Sequence, residues 1–436
     1  MKGFKYILFS NNLVNGNSFS FIKCIYGIIL FIISLRYLLY GWWKKYFVLP
    51  SFHFRYPLFE WVPLIPENIF IIILIVLMIF SIFVIFGILY KFSLLVSLLL
   101  FMWIFFQDPT YYLNHHYFII IIGIYLLLLP EPKHNFLAEN SLYPEWAIIL
   151  IRLQIAIVYL YAGFAKIQPD WLLEGLPLKI WLARKTFIPL EILSIKEQAL
   201  LFSWAGMLFD ITIPFWLSLK KTRKYAYFLV ILFHVLTRIL FEIGVFPWVM
   251  ILFTTIFFEP DWPLQLKRKL IFNKIYINSN INNIKYKETS QIIRFIVVLF
   301  LVFQILFPAR FILYLKNYDI KTYMNEVLWK ENGFRWSWRV MLVQKSGYVM
   351  FYIHDKKSNN IIIHDPRRIL TSMQYDMMSY QADLICQYAE WLKKNYNNNV
   401  LITVENYVSW NGRKSYEFIK RNEFIDKKHC LINDYY

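Results

Sequence analysis

Lys166 closes an apolar stretch over 146–167, in the run Tyr159-Leu-Tyr-Ala-Gly163-Phe-Ala-Lys166-Ile-Gln-Pro-Asp170-Trp171. An ionisable side chain inside a lipid-facing helix is expensive and needs either a partner or a task. A lysine near a helix end can snorkel its ammonium to the interface. Alternatively, burial disfavours the charged form and leaves a neutral amine able to act as a base. Asn114-His115-His116 heads another apolar stretch, on the same expected face of the membrane as Lys166. Tyrosine- and histidine-rich loops are common at membrane interfaces, but neutral histidine and asparagine also donate hydrogen bonds to an oxyanion forming on a bound ring. His234 and Arg238 lie four residues apart, hence on one helix face. Arg238 and Glu242 share that spacing and are expected to form an internal structural pair. Asp210 and the Arg152–Gln154 neighbourhood read as hydrogen-bonding groups between helices.

Other chemistries lack a foothold. No GxSxG, GxGxxG, Walker loop, HExxH or kinase motif occurs,. Three cysteines, Cys24, Cys386 and Cys430, show no metal-ligand spacing, so no metal site is expected; a Cys386–Cys430 bridge stays open,. The aromatic content of 20% suits a flat apolar substrate, and equally suits core packing and interface belts,.

The elements that must position these residues are membrane helices. The chain has 436 residues, 58% hydrophobic and only 17% charged, against about a quarter charged in soluble domains. Apolar stretches at roughly 21–40, 69–90, 92–106, 117–130, 146–167, 198–219, 225–242, 244–259 and 292–313 predict about nine crossings, the shorter ones falling below the usual ~20 residues. The first stretch ends in Gly41-Trp42-Trp43-Lys44-Lys45 without a small-residue cleavage site, so it reads as a retained helix,. The net charge of +18 sits in connectors and at helix flanks, so it is assigned to topology and lipid headgroups and not to nucleic acid,. Basic connectors (Lys220, Lys221, Arg223, Lys224; Lys267, Arg268, Lys269, Lys274, Lys285, Lys287) are placed in the cytoplasm, with the N-terminus,. The same count puts 107–116, 168–197 and everything after about 314 outside; the loop 41–68, with Lys44, Lys45 and Arg55, fits less well. No pair of similar halves supports a transporter.

The expected architecture is therefore an all-α polytopic bundle over 1–313 and a small extracytoplasmic α/β module over 314–436. Within the module, Tyr348–Ile353 and Ile361–Ile363 read as a hairpin, and Leu384, Ile385, Tyr388, Ala389, Trp391 and Leu392 recur at helical spacing,.

At Tyr112–Tyr117, Tyr159–Trp171, Phe233–Phe246, Pro260–Pro263 and Gly333–Met341 the chain resembles the vitamin K-dependent γ-glutamyl carboxylase family, including its bacterial members with the HTTM (horizontally transferred transmembrane) domain. The resemblance implies reduced vitamin K (the hydroquinone) as cofactor, with O₂ and CO₂ as co-substrates. It gives Lys166 the deprotonation of the quinol, Asn114 and His115 its stabilisation, and Tyr159, Gly163, His234, Trp338 and Met341 the cofactor-binding positions, with Val340 as a further apolar contact. Oxidation of the quinol to its epoxide would then drive removal of a γ-proton from a glutamate in a polypeptide partner, so that CO₂ can add. It also implies a bacterial inner or cell membrane. Phe334 stands where many bacterial relatives have histidine, and 314–329 departs from the pattern. The alternatives are an epoxidase without carboxylation, or a quinone- or lipid-binding protein without turnover. The module is expected to cover the outer mouth of the bundle and to supply Trp336, Trp338 and Met341 to the pocket, since a hydrophobic quinol and a strong base must be kept from water.

Overall fold

The computed structural model describes residues 11–131, 142–184, 193–241, 243–271, 289–315, 319–357, 360–396, 399–421 and 423–425. Helices form over the long Ile-, Leu- and Phe-rich runs, where charges are few: α1 (Asn17–Leu39), α2 (Glu67–Phe86), α3 (Tyr90–Phe105), α4 (Asn114–Leu128), α5 (Glu145–Phe164), α6 (Ile195–Ser218), α7 (Arg223–Leu240), α8 (Phe246–Thr254) and α9 (Gln291–Leu306). Local chemistry sets several boundaries. A Ser194/Glu197 capping box starts α6,, and the chain leaves α2 through Gly87 in the left-handed region,.

These nine helices lie at the nine expected places. Five segments, α1, α2, α5, α6 and the continuous 291–314, are long and apolar enough to cross a membrane; α3, α4 and 246–257 are apolar but shorter. α7 carries Arg223, Lys224 and Arg238 within its 18 residues. The nine-crossing count is thus met in full length and composition by five helices. One strand pair in this domain had no sequence signal: β1 (Leu13–Asn15) runs antiparallel to β2 (Leu142–Pro144), tying the start of α1 to the start of α5. The Arg238–Glu242 pair, the Cys386–Cys430 bridge and Lys274, Lys285 and Lys287 involve positions outside the described residues.

The module is a four-stranded antiparallel sheet in the order β4-β3-β5-β6, from β3 (Lys345–Asp355), β4 (Ile361–His364), β5 (Val400–Trp410) and β6 (Tyr416–Ile419). The expected hairpin is β3/β4, with Tyr352 opposite Ile363. Alternation along β3 buries Val349, Phe351 and Ile353,. They pack with Ile402 and Val404 of β5 and with Leu384, Ile385, Tyr388, Ala389 and Leu392 of the helix Ala382–Asn395. Phe52 and Phe54, from the loop between α1 and α2, complete that core.

The module is tied to one end of the bundle by buried polar contacts. Gln374 Nε2 donates to Asp108 Oδ2 and to the Phe52 carbonyl, both at 2.9 Å. Gln387 exchanges hydrogen bonds with the Arg55 backbone at 2.8 and 3.0 Å. The loop 41–68, which fitted the orientation least well, therefore lies at the same end as 107–116 and the module.

Candidate functional site

Lys166 follows the last turn of α5, 7% exposed. Its Nζ donates to Asp210 Oδ2 of α6 at 2.5 Å and to the Ala162 carbonyl at 3.1 Å. The ammonium position lies 5.6 Å from the centroid of the Trp171 ring. Gln168 caps the short helix Pro169–Leu172 by accepting from the Asp170 N–H at 2.9 Å, and Trp171 Nε1 donates to the Ser203 carbonyl at 2.8 Å. The chain is so turned back under Lys166.

Two carboxylates lie near this lysine in space or sequence, and the fold engages them differently. Asp170, the nearer in sequence, is buried and held by Arg413 at 2.6 and 2.7 Å and by Asn411 Nδ2 at 2.8 Å. Asp210, expected to bond helices together, is the partner of Lys166. Gly163 lies where α5 and α6 cross. A Cβ there would stand 2.6 Å from Ile211 Cγ1 and 2.9 Å from the Ile211 nitrogen, so the glycine permits the close α5–α6 approach that brings Asp210 to Lys166.

Above this pair is an almost wholly apolar cavity of about 360 Å³, lined by Tyr159, Lys166, Trp171, Asp210, His234, Phe246, Val340 and Met341 among others. Tyr159 Oη lies 3.0 Å from His234 Nε2 and 3.4 Å from Thr254 Oγ1. Lys166, Tyr159, His234 and Met341 thus share one chamber.

Asn114, His115 and His116 line a neighbouring chamber of about 470 Å³, together with Arg36, Tyr112 and Met373. The two chambers share Ile243, Phe246 and Val340 as wall. The expected set is therefore divided between two adjoining chambers instead of converging on one. Tyr112 orients Asn114: its hydroxyl accepts from the Trp336 N–H at 3.1 Å and donates to Asn114 Oδ1 at 3.0 Å. With its oxygen engaged, Asn114 offers its NH₂ as donor. Asn114, Tyr112 and Met341 also border a smaller polar chamber of about 170 Å³ lined by Arg335, Lys345 and Glu331. Burial lowers the Lys345 pKa, against the opposing charge of Glu331 at 2.7 Å,.

Trp338 departs from the expected role. It is fully buried and stacked on Tyr117 at 5.0 Å, and it is absent from the residues lining these chambers. Trp336 likewise packs against Tyr112 and Tyr117. The reason is the backbone: Trp336, Trp338 and Met341 all take positive φ, so 333–341 is an irregular run of turns in which Val340 and Met341, and neither tryptophan, line the Lys166 cavity. Arg335 secures it, donating to Asp383 Oδ2 at 2.7 Å. Sequence reading missed Arg36 and Asp210 as chamber residues. Both were visible as charges in apolar runs.

Among the described residues no cluster of three His, Cys, Asp or Glu side chains could hold a metal ion. No solved structure matches the chain. Residues 11–262 match the family described as HTTM domain, and residues 289–430 match the one described as Vitamin K-dependent gamma-carboxylase, lumenal domain. The first covers the helices that carry Lys166, Asn114 and His115, and the second covers the segment that closes over them. The chain belongs to the vitamin K-dependent gamma-glutamyl carboxylase family.

Proposed function

We propose that the protein is a membrane enzyme that oxidises a vitamin K-type hydroquinone with O₂ to the epoxide and uses that reaction to carboxylate glutamate in a polypeptide. The observation that carries this reading is a buried lysine facing an almost wholly apolar cavity. A volume of about 360 Å³ lies within the range of small-molecule sites, which are mostly apolar with a few placed polar groups. Lys166, Tyr159, Asp210 and His234 are those groups, and they fit a ring bearing hydroxyls. Leu201, exposed on α6, lies among the lining residues, which suits a ligand arriving from lipid. When bound, the reduced vitamin supplies the reducing equivalents and the base strength that no side chain has.

Lys166 receives the first proton. Its amine lines the cavity, and Asp210 Oδ2, 2.5 Å away, holds it there within reach of a bound hydroxyl. Tyr159 and His234 orient the ring by hydrogen bonding. Asn114 and His115 line the second chamber, beyond the wall of Ile243, Phe246 and Val340, where neutral donors stabilise negative charge on a group that enters there. The module keeps water from the chambers. The N-terminus lies in the cytoplasm and the module outside, in a bacterial cell membrane.

The test is to incubate purified protein with reduced vitamin K, O₂, labelled CO₂ and a glutamate-containing peptide, measuring epoxide and fixed label separately. Both are expected. Epoxide without fixed label would leave only the epoxidase reading, and neither product would remove the enzyme reading.

A further inference from the structure

Arg36 lies in the last turn of α1, at the end of the bundle that carries the module. Gly41, with φ of 64°, turns the chain back on itself,, and Trp42 then covers the guanidinium at 4.9 Å from its ring centroid. Tyr40, stacked on Trp42, lies at 5.9 Å. Stacking of this kind holds a guanidinium flat and leaves its in-plane N–H groups unspent. Among the described residues no side-chain hydrogen bond or ion pair of Arg36 occurs, although Arg335, Arg339 and Arg413 are each hydrogen-bonded.

The chamber onto which Arg36 opens is the one that holds Asn114, His115 and His116. Among the described residues that line it there is no carboxylate, and the N-terminus of the 15-residue helix α4 opens there as well. A guanidinium and a helix N-terminus in one cavity make a positive site. Met373 of the module forms part of the lining, so the chamber lies where the bundle meets the polar domain. That is where a polypeptide side chain can reach in, and the wall of Ile243, Phe246 and Val340 sets it next to the Lys166 cavity.

We infer that this chamber is the acceptor subsite, and that Arg36 binds the side-chain carboxylate of a glutamate presented by a polypeptide. The inference rests on the proposed carboxylation, and it adds the group that recognises the acceptor. A guanidinium meets a carboxylate through two parallel hydrogen bonds, which a glutamine amide cannot reproduce. Neutralising that carboxylate also eases removal of a proton from the adjacent carbon.

The experiment is equilibrium binding of a fluorescein-labelled glutamate peptide, and of its glutamine counterpart, to the full chain in nanodiscs of zwitterionic lipid. No quinol is present. The wild type is expected to favour the glutamate peptide by at least about tenfold, the scale of one charge-assisted hydrogen-bonded pair. Arg36→Gln should bring the two peptides to within about twofold of each other, and Arg36→Lys, which restores a cation, should recover part of the preference. That recovery separates loss of charge from loss of fold. Equal binding of both peptides by the wild type, or full preference in Arg36→Gln, overturns the proposal. So does a variant whose only change is weaker association with phosphatidylglycerol nanodiscs, since Arg36 would then be a lipid anchor. A wild type that forms epoxide yet shows no preference refutes the subsite alone; one that shows the preference yet forms no epoxide refutes the quinol reading alone.

Discussion

Of the two carboxylates near Lys166, the fold leaves one available. Asp170 is spent on Arg413 and Asn411, and Asp210 remains against the amine. The Lys166→Arg variant separates a base from an interfacial cation. Arginine keeps an ion pair with Asp210 but holds its proton at any working pH. Epoxide formation should therefore fall by about 100-fold or more, the usual contribution of a positioned base, while the protein still folds. Lys166→Ala should regain part of its turnover when a small neutral amine is added. Wild-type-like epoxide production by Lys166→Arg across the pH range would end the role proposed for this residue.

At the scale of elements, the Lys166–Asp210 contact depends on how closely α5 and α6 cross. Ordinarily Gly→Ala inside a helix gains ~0.5–1 kcal/mol. At Gly163 the added methyl would meet Ile211, including its backbone nitrogen at 2.9 Å, so Gly163→Ala should instead cost about 1–3 kcal/mol, as overpacking does. Gly206, on α6, offers a contrast: its Cβ would meet only Phe233 at 3.9 Å. Thermal unfolding in detergent should show Gly163→Ala melting several degrees lower and Gly206→Ala no lower than the wild type. Equal midpoints for both variants would show that this crossing does not control the geometry. The contrast also marks what could be read in the sequence. Lys166, His115 and His234 were visible because a polar group in an apolar run stands out. The partnership of Lys166 with Asp210 was not, because it spans 44 residues and depends on the helix crossing. Trp338 was misplaced for another reason. Positive φ at Trp336, Trp338 and Met341 breaks any periodicity that would tell which side chains face a cavity. The β3/β4 hairpin, with its plain alternation, was legible.

For the whole molecule, the expectation is that the module and the Asn114–Lys166 end face outward. Single cysteines at Ser346, exposed at the start of β3, and at Lys221, in the basic α6–α7 connector, test this in a chain whose own cysteines are replaced. A membrane-impermeant maleimide added to intact cells should label Ser346→Cys strongly and leave Lys221→Cys untouched. Labelling of position 221 alone would invert the topology. The basic connector was legible because charge bias is local. The docking of Phe52 and Phe54 into the module core was not, since nothing local distinguishes those phenylalanines from interfacial ones.

The clasp on Asp170 has a consequence for how the protein is made. Arg413 is synthesised 243 residues after the carboxylate it holds, when the helices bearing the apolar cavity have already been threaded into lipid. Until that late turn arrives, the segment beside Lys166 lacks its anchor and Asp170 lacks the partners that hold it. The wall beside Lys166 is therefore completed last, after every residue that lines the cavity has been made.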